Sequence, residues 1–357
     1  MILRKDAVFD ILTLSSMGVR ITPKDSQPVH VSNQYEMHST SAETNVLNIS
    51  ASLGLSCKVL TKFVAGSPIA AFIKSELRKR NIAYEGPEVT PDGPWGVRHQ
   101  FNIADSGFGA RGPYVYNDRA GEVGRTIKPD DYDLERIFKT DGCRLIHLSG
   151  LIAAMSKSTL ETCFAVADAA KRNGALVSFD LNYRASFWSG REDELSAAFK
   201  QIASIADIVI GNEEEFQLAL RLEGTPSGGS EAMAAIGSYK SMIEHAVTEY
   251  PNVKVFATTL REVECSTRHH WGALLRADSV WYEELPRPIQ VLDRIGGGDG
   301  FVGGLLYGIL RGWIPEKCLQ FAWATGALAT TLLTDYATPV DEGQVWSIYE
   351  GNARVKR

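Results

Sequence analysis

The chain has 357 residues, 44% hydrophobic and 22% charged, with a formal net charge of −6. This is an ordinary globular composition, long enough for one α/β core with a small appendage. The acidic balance, with no Lys/Arg run longer than three, argues against nucleic acid or an anionic membrane as the main partner. Phosphate binding stays allowed, because it needs only a few local donors. The five cysteines, Cys57, Cys143, Cys163, Cys265 and Cys318, form no CxxC and are odd in number. They read as thiols of a reducing cytosol. Asp10 interrupts the amino-terminal apolar run, so no signal peptide is expected there. No stretch of eighteen apolar residues suggests a membrane span. A cytoplasmic protein is expected.

In chain order, Phe9 to Leu14 reads as a buried strand and Ala42 to Leu53 as a helix stopped by Gly54. Lys58 to Val64 is strand-like. Ser67-Pro68 opens a helix to about Arg80, serine as cap and proline in the first turn. Val29 to His38, Gly96 to Ile103 and Pro113 to Asn117 read as strands without intervening helices, apart from the main core. A regular βα rhythm follows. Strands are expected at Arg144–Leu148, Ala175–Asp180, Asp207–Ile210 and Val253–Thr258. Helices are expected at Ser158–Asn173, Glu192–Ser204, Glu213–Arg221 and Glu231–Tyr250, with a polar loop over Glu223–Ser230. Trp271–Arg276 and Val280–Glu284 look like a hairpin, and helices close the pattern at Gly300–Arg311 and Pro315–Leu332. Alternating strands and helices imply a parallel sheet covered on both faces, with ligands at the carboxyl ends of its strands.

The sharpest local feature is Asp293-Arg-Ile-Gly-Gly-Gly-Asp299 before an apolar helix. Gly296, Gly297 and Gly298 let the backbone turn its N–H groups toward an anion, and the helix start adds positive potential. Asp299 beside them is a candidate base for a hydroxyl. Taken alone, a glycine turn with Asp299 as an ordinary cap accounts for the segment equally well. It is neither GxGxxG nor a P-loop.

The segment resembles the carboxy-terminal signature of the ribokinase-like (PfkB) carbohydrate kinases, D-T-x-G-A-G-D. Its Asp-Arg-Ile-Gly form is most similar to the 2-keto-3-deoxygluconate kinases. The resemblance implies a doubly wound, mostly parallel three-layer αβα fold over 1–357, with a small β lid from about 15–40 and 90–122. It implies Asp299 as catalytic base and Gly296, Gly297 and Gly298 as the anion hole. ATP and Mg2+ are the implied cofactors, and a monovalent cation is allowed. Such lids often pair two chains, so a homodimer is expected.

Other motifs fit the same reading. Asp180, Asn182 and Arg184 follow a strand at alternate positions, so in extended chain they point one way. By resemblance Arg184 takes a substrate carboxylate; the bland alternative is an Asp180–Arg184 salt bridge. Asn212 and Glu215 form the family's N-x-x-E, which organises Mg2+ and phosphate through water; read alone they are a helix cap. Thr259 and Arg261, in Thr-Thr-Leu-Arg, resemble a nucleotide border. Arg119, in Asn-Asp-Arg-Ala-Gly, resembles a lid arginine that reaches the sugar acid; the alternative is a solvated loop residue. His147 reads as a core residue, and His269 and His270 as members of a polar turn without zinc spacing.

The amino-terminal half departs from the family. Ser15-Ser16 stands for Gly-Glu, and Thr40-Ser41 for the Gly-Gly that precedes the retained Asn45. Side chains at Thr40 and Ser41 are expected to narrow or re-aim the sugar pocket. Tyrosines expected near 99 and at 117 are replaced by Arg98-His99-Gln100 and Asn117, and Ala104 to Gly112 is insertion-like. The implied reaction is phosphorylation of a terminal hydroxyl on an acidic keto-sugar. A ketose kinase of the same fold, or an inactive sugar or nucleotide sensor, remains the alternative.

Overall fold

A computed structural model describes residues 1–224 and 232–352, without the side chains of 232–235. Most of the loop expected over Glu223–Ser230 lies outside the described residues.

The central sheet has nine strands. Seven run parallel: β1 (Phe9–Leu14), β4 (Cys57–Leu60), β6 (Ile82–Glu85), β10 (Cys143–Ser149), β11 (Leu176–Asp180), β12 (Ile208–Ile210) and β13 (Val255–Cys265). The long hairpin β14 (Arg268–Ala277) and β15 (Val280–Gln290) adds antiparallel to β13. The order is β15-β14-β13-β12-β11-β10-β1-β4-β6. Alternate residues of each strand enter opposite cores, as the two-residue period requires. Leu12, Leu14, Ile146, Leu148, Val177 and Phe179 bury on one face. Ile11, Val59, Leu145, Ile208 and Ile210 bury on the other.

A second sheet, β3-β2-β8-β9, comprises β2 (Gly18–Pro23), β3 (Tyr35–Thr40), β8 (Gln100–Asp105) and β9 (Tyr114–Asp118). It is antiparallel except at β2–β8. A two-stranded pair joins β5 (Phe63–Val64) to β7 (Glu88–Val89). The expected strand over Lys58–Val64 thus divides, because β5 leaves the main sheet to pair with β7.

The helices are α1 (Ala42–Ser52), α2 (Pro68–Lys79), α3 (Gly150–Met155), α4 (Lys157–Arg172), α5 (Ala185–Trp188), α6 (Glu192–Ala203), α7 (Glu213–Ala219), α8 (Ala232–Glu249), α9 (Gly297–Leu310), α10 (Pro315–Ala329) and α11 (Glu342–Tyr349). Ser41, Ser67, Ser149, Ser156, Asn212 and Asp341 cap their helices through side-chain oxygens. Among the described residues, no helix is long and apolar enough to cross a membrane.

Candidate active site

Strand order reverses around β1, with β4 on one side and β10 on the other. A crevice opens at the carboxyl ends of such neighbours. β1 runs on into Ser15-Ser16 and β10 ends in Ser149, and Ser15 and Ser149 converge on Glu43 in the first turn of α1. Ser15 Oγ donates to Glu43 Oε2 at 2.5 Å, and Ser149 Oγ donates to Oε1. Burial pushes the Glu43 carboxyl up, while Ser149 and Ser15 pull it back. Two residues on, Asn45 Nδ2 donates to Asp299 Oδ2 at 2.9 Å, leaving Asn45 Oδ1 buried without a donor.

Asp299 lies in the first turn of α9. Gly296 precedes that turn at φ 85°, and a Cβ there would stand 2.0 Å from the Asp335 carbonyl oxygen. Only glycine fits that conformation and that gap. Around Gly298 a Cβ would meet nothing within 4 Å, so its outer side is open. No acceptor among the described residues takes the N–H of Gly298 or Asp299, the orphan donors of a helix start. Burial raises the Asp299 carboxyl to about 7; Asn45 opposes, Asp335 and Glu43 add to the rise, and Arg184 opposes.

Asp180 ends β11. The expected extended run through Asn182 to Arg184 does not form: Asn182 has φ 36°, and its amide folds back on Asp180, with N donating to Oδ1 at 3.3 Å. The three side chains therefore do not alternate along a strand. Arg184 still feels Asp180, Glu215 and Asp299 electrostatically. It makes no ion pair with any described residue, and Nη1 donates only to the Tyr183 carbonyl at 3.2 Å. The Asp180–Arg184 salt bridge is therefore absent. Burial, then Glu215 and Asp299, push Asp180 well above the carboxylate range. Asn212 and Glu215 form a reciprocal cap: Asn212 Oδ1 accepts from Glu215 N at 3.0 Å, and Glu215 Oε2 from Asn212 N at 2.8 Å. Glu215 Oε1 also accepts from Tyr183 N at 3.2 Å, tying α7 to the end of β11.

Thr259 lies within β13, opposite Ala273 of β14. Arg261, two residues on, is exposed, and its guanidinium is held below the ordinary arginine value by crowding from surrounding protein and by the like charge of Arg294, with Glu215 opposing. Neither Arg261 nor Arg294 has an ion-pair partner among the described residues. Arg119 is neither solvated nor unpaired: Nη1 donates to both oxygens of Glu122, at 2.8 and 3.0 Å. Thr40 and Ser41 are both engaged by partners within the protein. Thr40 Oγ1 donates to Asp335 Oδ2 at 2.6 Å, and Ser41 caps α1. His147 is a core residue, held to about 3 by burial. His269 is buried within β14 rather than in a polar turn. The insertion-like stretch docks on the turn between β13 and β14, where Ser266 N donates to Gly109 O at 2.9 Å and Ser266 Oγ to Arg111 O at 2.7 Å.

Sequence reasoning missed Arg20 of β2. It is 1% exposed and bridges Asp293, at the head of the glycine loop, and Asp335. The pairs are separated by 273 and 315 residues in sequence, so no local pattern signals them. Glu43 and Glu122 were missed because each looks like an ordinary surface acid until folding brings serines to it.

The pfkB family carbohydrate kinase pattern matches residues 10–339. A 2-dehydro-3-deoxygalactonokinase of Haloferax volcanii is 24% identical over 350 residues, covering 98% of this chain and 99% of the relative. A 5-dehydro-2-deoxygluconokinase of Clostridium perfringens is 29% identical over 210 residues, 59% of this chain and 55% of the relative. The crystal structure of a 2-dehydro-3-deoxygluconokinase from Thermotoga maritima superposes with a TM-score of 0.84 at 26% identity, covering 96% and 98% of the two chains. With the glycine loop, its aspartate and a ribokinase-like sheet in place, the chain belongs to the pfkB family of carbohydrate kinases.

Proposed function

We propose that this protein transfers the γ-phosphoryl group of ATP to a terminal hydroxyl of an acidic keto-sugar, 2-keto-3-deoxygluconate or a close relative, with Asp299 as the base. The observation that carries this reading is Asp299 itself. Its carboxyl sits near 7, is oriented by Asn45 and adjoins two unpaired helix-start N–H groups. A base with that affinity can take the hydroxyl proton near neutral pH. The N–H groups of Gly298 and Asp299 face developing phosphoryl charge without reorganising. Three similar proteins are named as kinases of acidic keto-sugars.

The donor set suits Mg2+-ATP. Asp180 and Glu215 oppose each other's ionisation, and Asn182 Oδ1 is a buried oxygen without a donor; a hard cation favours such oxygens. Both Glu215 oxygens already accept backbone N–H groups, which suits contact through water, as proposed for Asn212 and Glu215. Mg2+ would neutralise charge on the β- and γ-phosphates. Arg261 and Thr259 border the nucleotide, and Arg184 and Arg119 hold the acid end of the sugar. The lid, about 15–40 and 90–122, closes over the sugar and excludes water. Its exposed Tyr35, Met37, Tyr114, Val115 and Tyr116 support pairing of two lids in a homodimer.

An ADP-release assay with Mg2+-ATP against sugar acids and neutral ketoses, with and without K+, tests the reading. Turnover on a sugar acid of this class supports it. Turnover on neutral ketoses alone, or ATP binding without any turnover, contradicts it.

A further inference from the structure

We propose that Glu122 is the positioning residue for sugar-acid recognition, holding Arg119 by one nitrogen so that its other edge meets the substrate carboxylate. This rests on the sugar-acid reading above.

A guanidinium carries its N–H groups in a rigid planar fork, and its Nε–Nη2 edge matches a carboxylate with two parallel hydrogen bonds. In Arg119 only Nη1 is used, by both Glu122 oxygens. Nε is buried without an acceptor, and no described residue accepts from Nη2. A buried donor left unpaired is costly, so the vacant edge calls for an acceptor from a ligand. The Phe187 ring lies 5.3 Å from the guanidinium carbon, fixing its face.

Glu122 is itself anchored. It is 2% exposed, and Oε1 also accepts from Ser16 Oγ at 2.5 Å. The turn that carries it seats on Ser16: a Cβ on Gly124 would stand 1.8 Å from Ser16 Oγ. Ser16 is the second residue beyond β1, so the acid arrives from the second sheet and is oriented by the first. The competing partner for Arg119 is Glu43, a buried carboxylate within its electrostatic reach. With Glu122 neutralised, Arg119 turns toward Glu43 and its vacant edge leaves the sugar.

The test compares Glu122→Gln, Glu122→Asp and Ser16→Ala with wild type, as full chains with Mg2+-ATP. The substrate is the sugar acid on which wild type is most efficient. Glu122→Gln is expected to raise KM for the acid roughly tenfold, with kcat within about threefold and KM for ATP unchanged. Ser16→Ala is expected to raise it about threefold, and Glu122→Asp to recover part of the loss. Independently of turnover, the 15N side-chain signal of Arg119 Nε, assigned by its loss in Arg119→Lys, should shift in Glu122→Gln. An unchanged or lower KM in Glu122→Gln, or an unmoved Arg119 signal, overturns the proposal. Wild-type silence on every sugar acid overturns the kinase reading and the carboxylate role with it. The NMR signal then still decides whether Glu122 holds Arg119.

Discussion

Replacing Asp299 by Asn should make the protein more stable and nearly inactive. Folding raises this carboxyl from its ordinary 3.8 to about 7. At about 1.36 kcal/mol per pKa decade, keeping it charged in the fold costs roughly 4 kcal/mol. Solvent at the open side of the cleft reduces that to about 2 kcal/mol. Asparagine removes the charge while its amide oxygen still accepts from Asn45, so the packing survives. For a chain this long, the gain corresponds to a Tm rise of about 2–3 °C at pH 8. The sign follows from linkage. Above pH 7 the wild-type carboxylate is charged in the fold, and the destabilisation is complete. As pH falls through 7 toward 4 the folded protein takes up the proton first, so the gain fades and vanishes near pH 4. Turnover should fall about a thousandfold at pH 8, because the base is gone, and by less at lower pH, where the wild-type base is itself protonated. Scanning calorimetry at pH 8, 6 and 4 beside the ADP-release assay reads both. A variant that melts at or below wild type at pH 8, or keeps its turnover, would show that Asp299 is not a buried, charge-strained base.

Gly296→Ala forces a Cβ at φ 85° to within 2.0 Å of the Asp335 carbonyl; a loss of roughly 3 kcal/mol or more in urea denaturation is expected, with loss of turnover. Arg20→Ala leaves Asp293 and Asp335 without their cation, and should cost about 3–5 kcal/mol in the same denaturation experiment. Arg184→Ala should raise KM for sugar acids about tenfold and leave any neutral-ketose KM unchanged, since the guanidinium has no described ion-pair partner to lose; equal effects on both argue against a carboxylate role.

The βα rhythm, the caps at Ser67 and Asn212, and the glycine loop were legible because each is a local pattern of a few residues. β2 and α11 were not recognised as separate elements. Gly18–Pro23 is short, carries the buried Arg20 and takes its pairing from β3 and β8, distant in sequence. The expected alternation of Asp180, Asn182 and Arg184 failed because Asn182 tolerates positive φ and bonds back to Asp180, a choice a strand period cannot anticipate. The substitutions Ser15-Ser16 and Thr40-Ser41 were visible as departures, but their consequence was not. Their hydroxyls serve Glu43, Glu122, Asp335 and the cap of α1, partners defined only by the fold.

The pH dependence of kcat/KM on the preferred sugar acid tests Asp299 as base most directly. The partly buried His38 and the buried His99, His147 and His269 are all held below the ordinary histidine value by desolvation, so they do not mimic it. With Asp299 as base, activity falls tenfold per pH decade below a single ionisation near 7, and the residual rate of Asp299→Asn lacks this ionisation. A flat profile from pH 5.5 to 8.5, or the same ionisation persisting in Asp299→Asn, would contradict it.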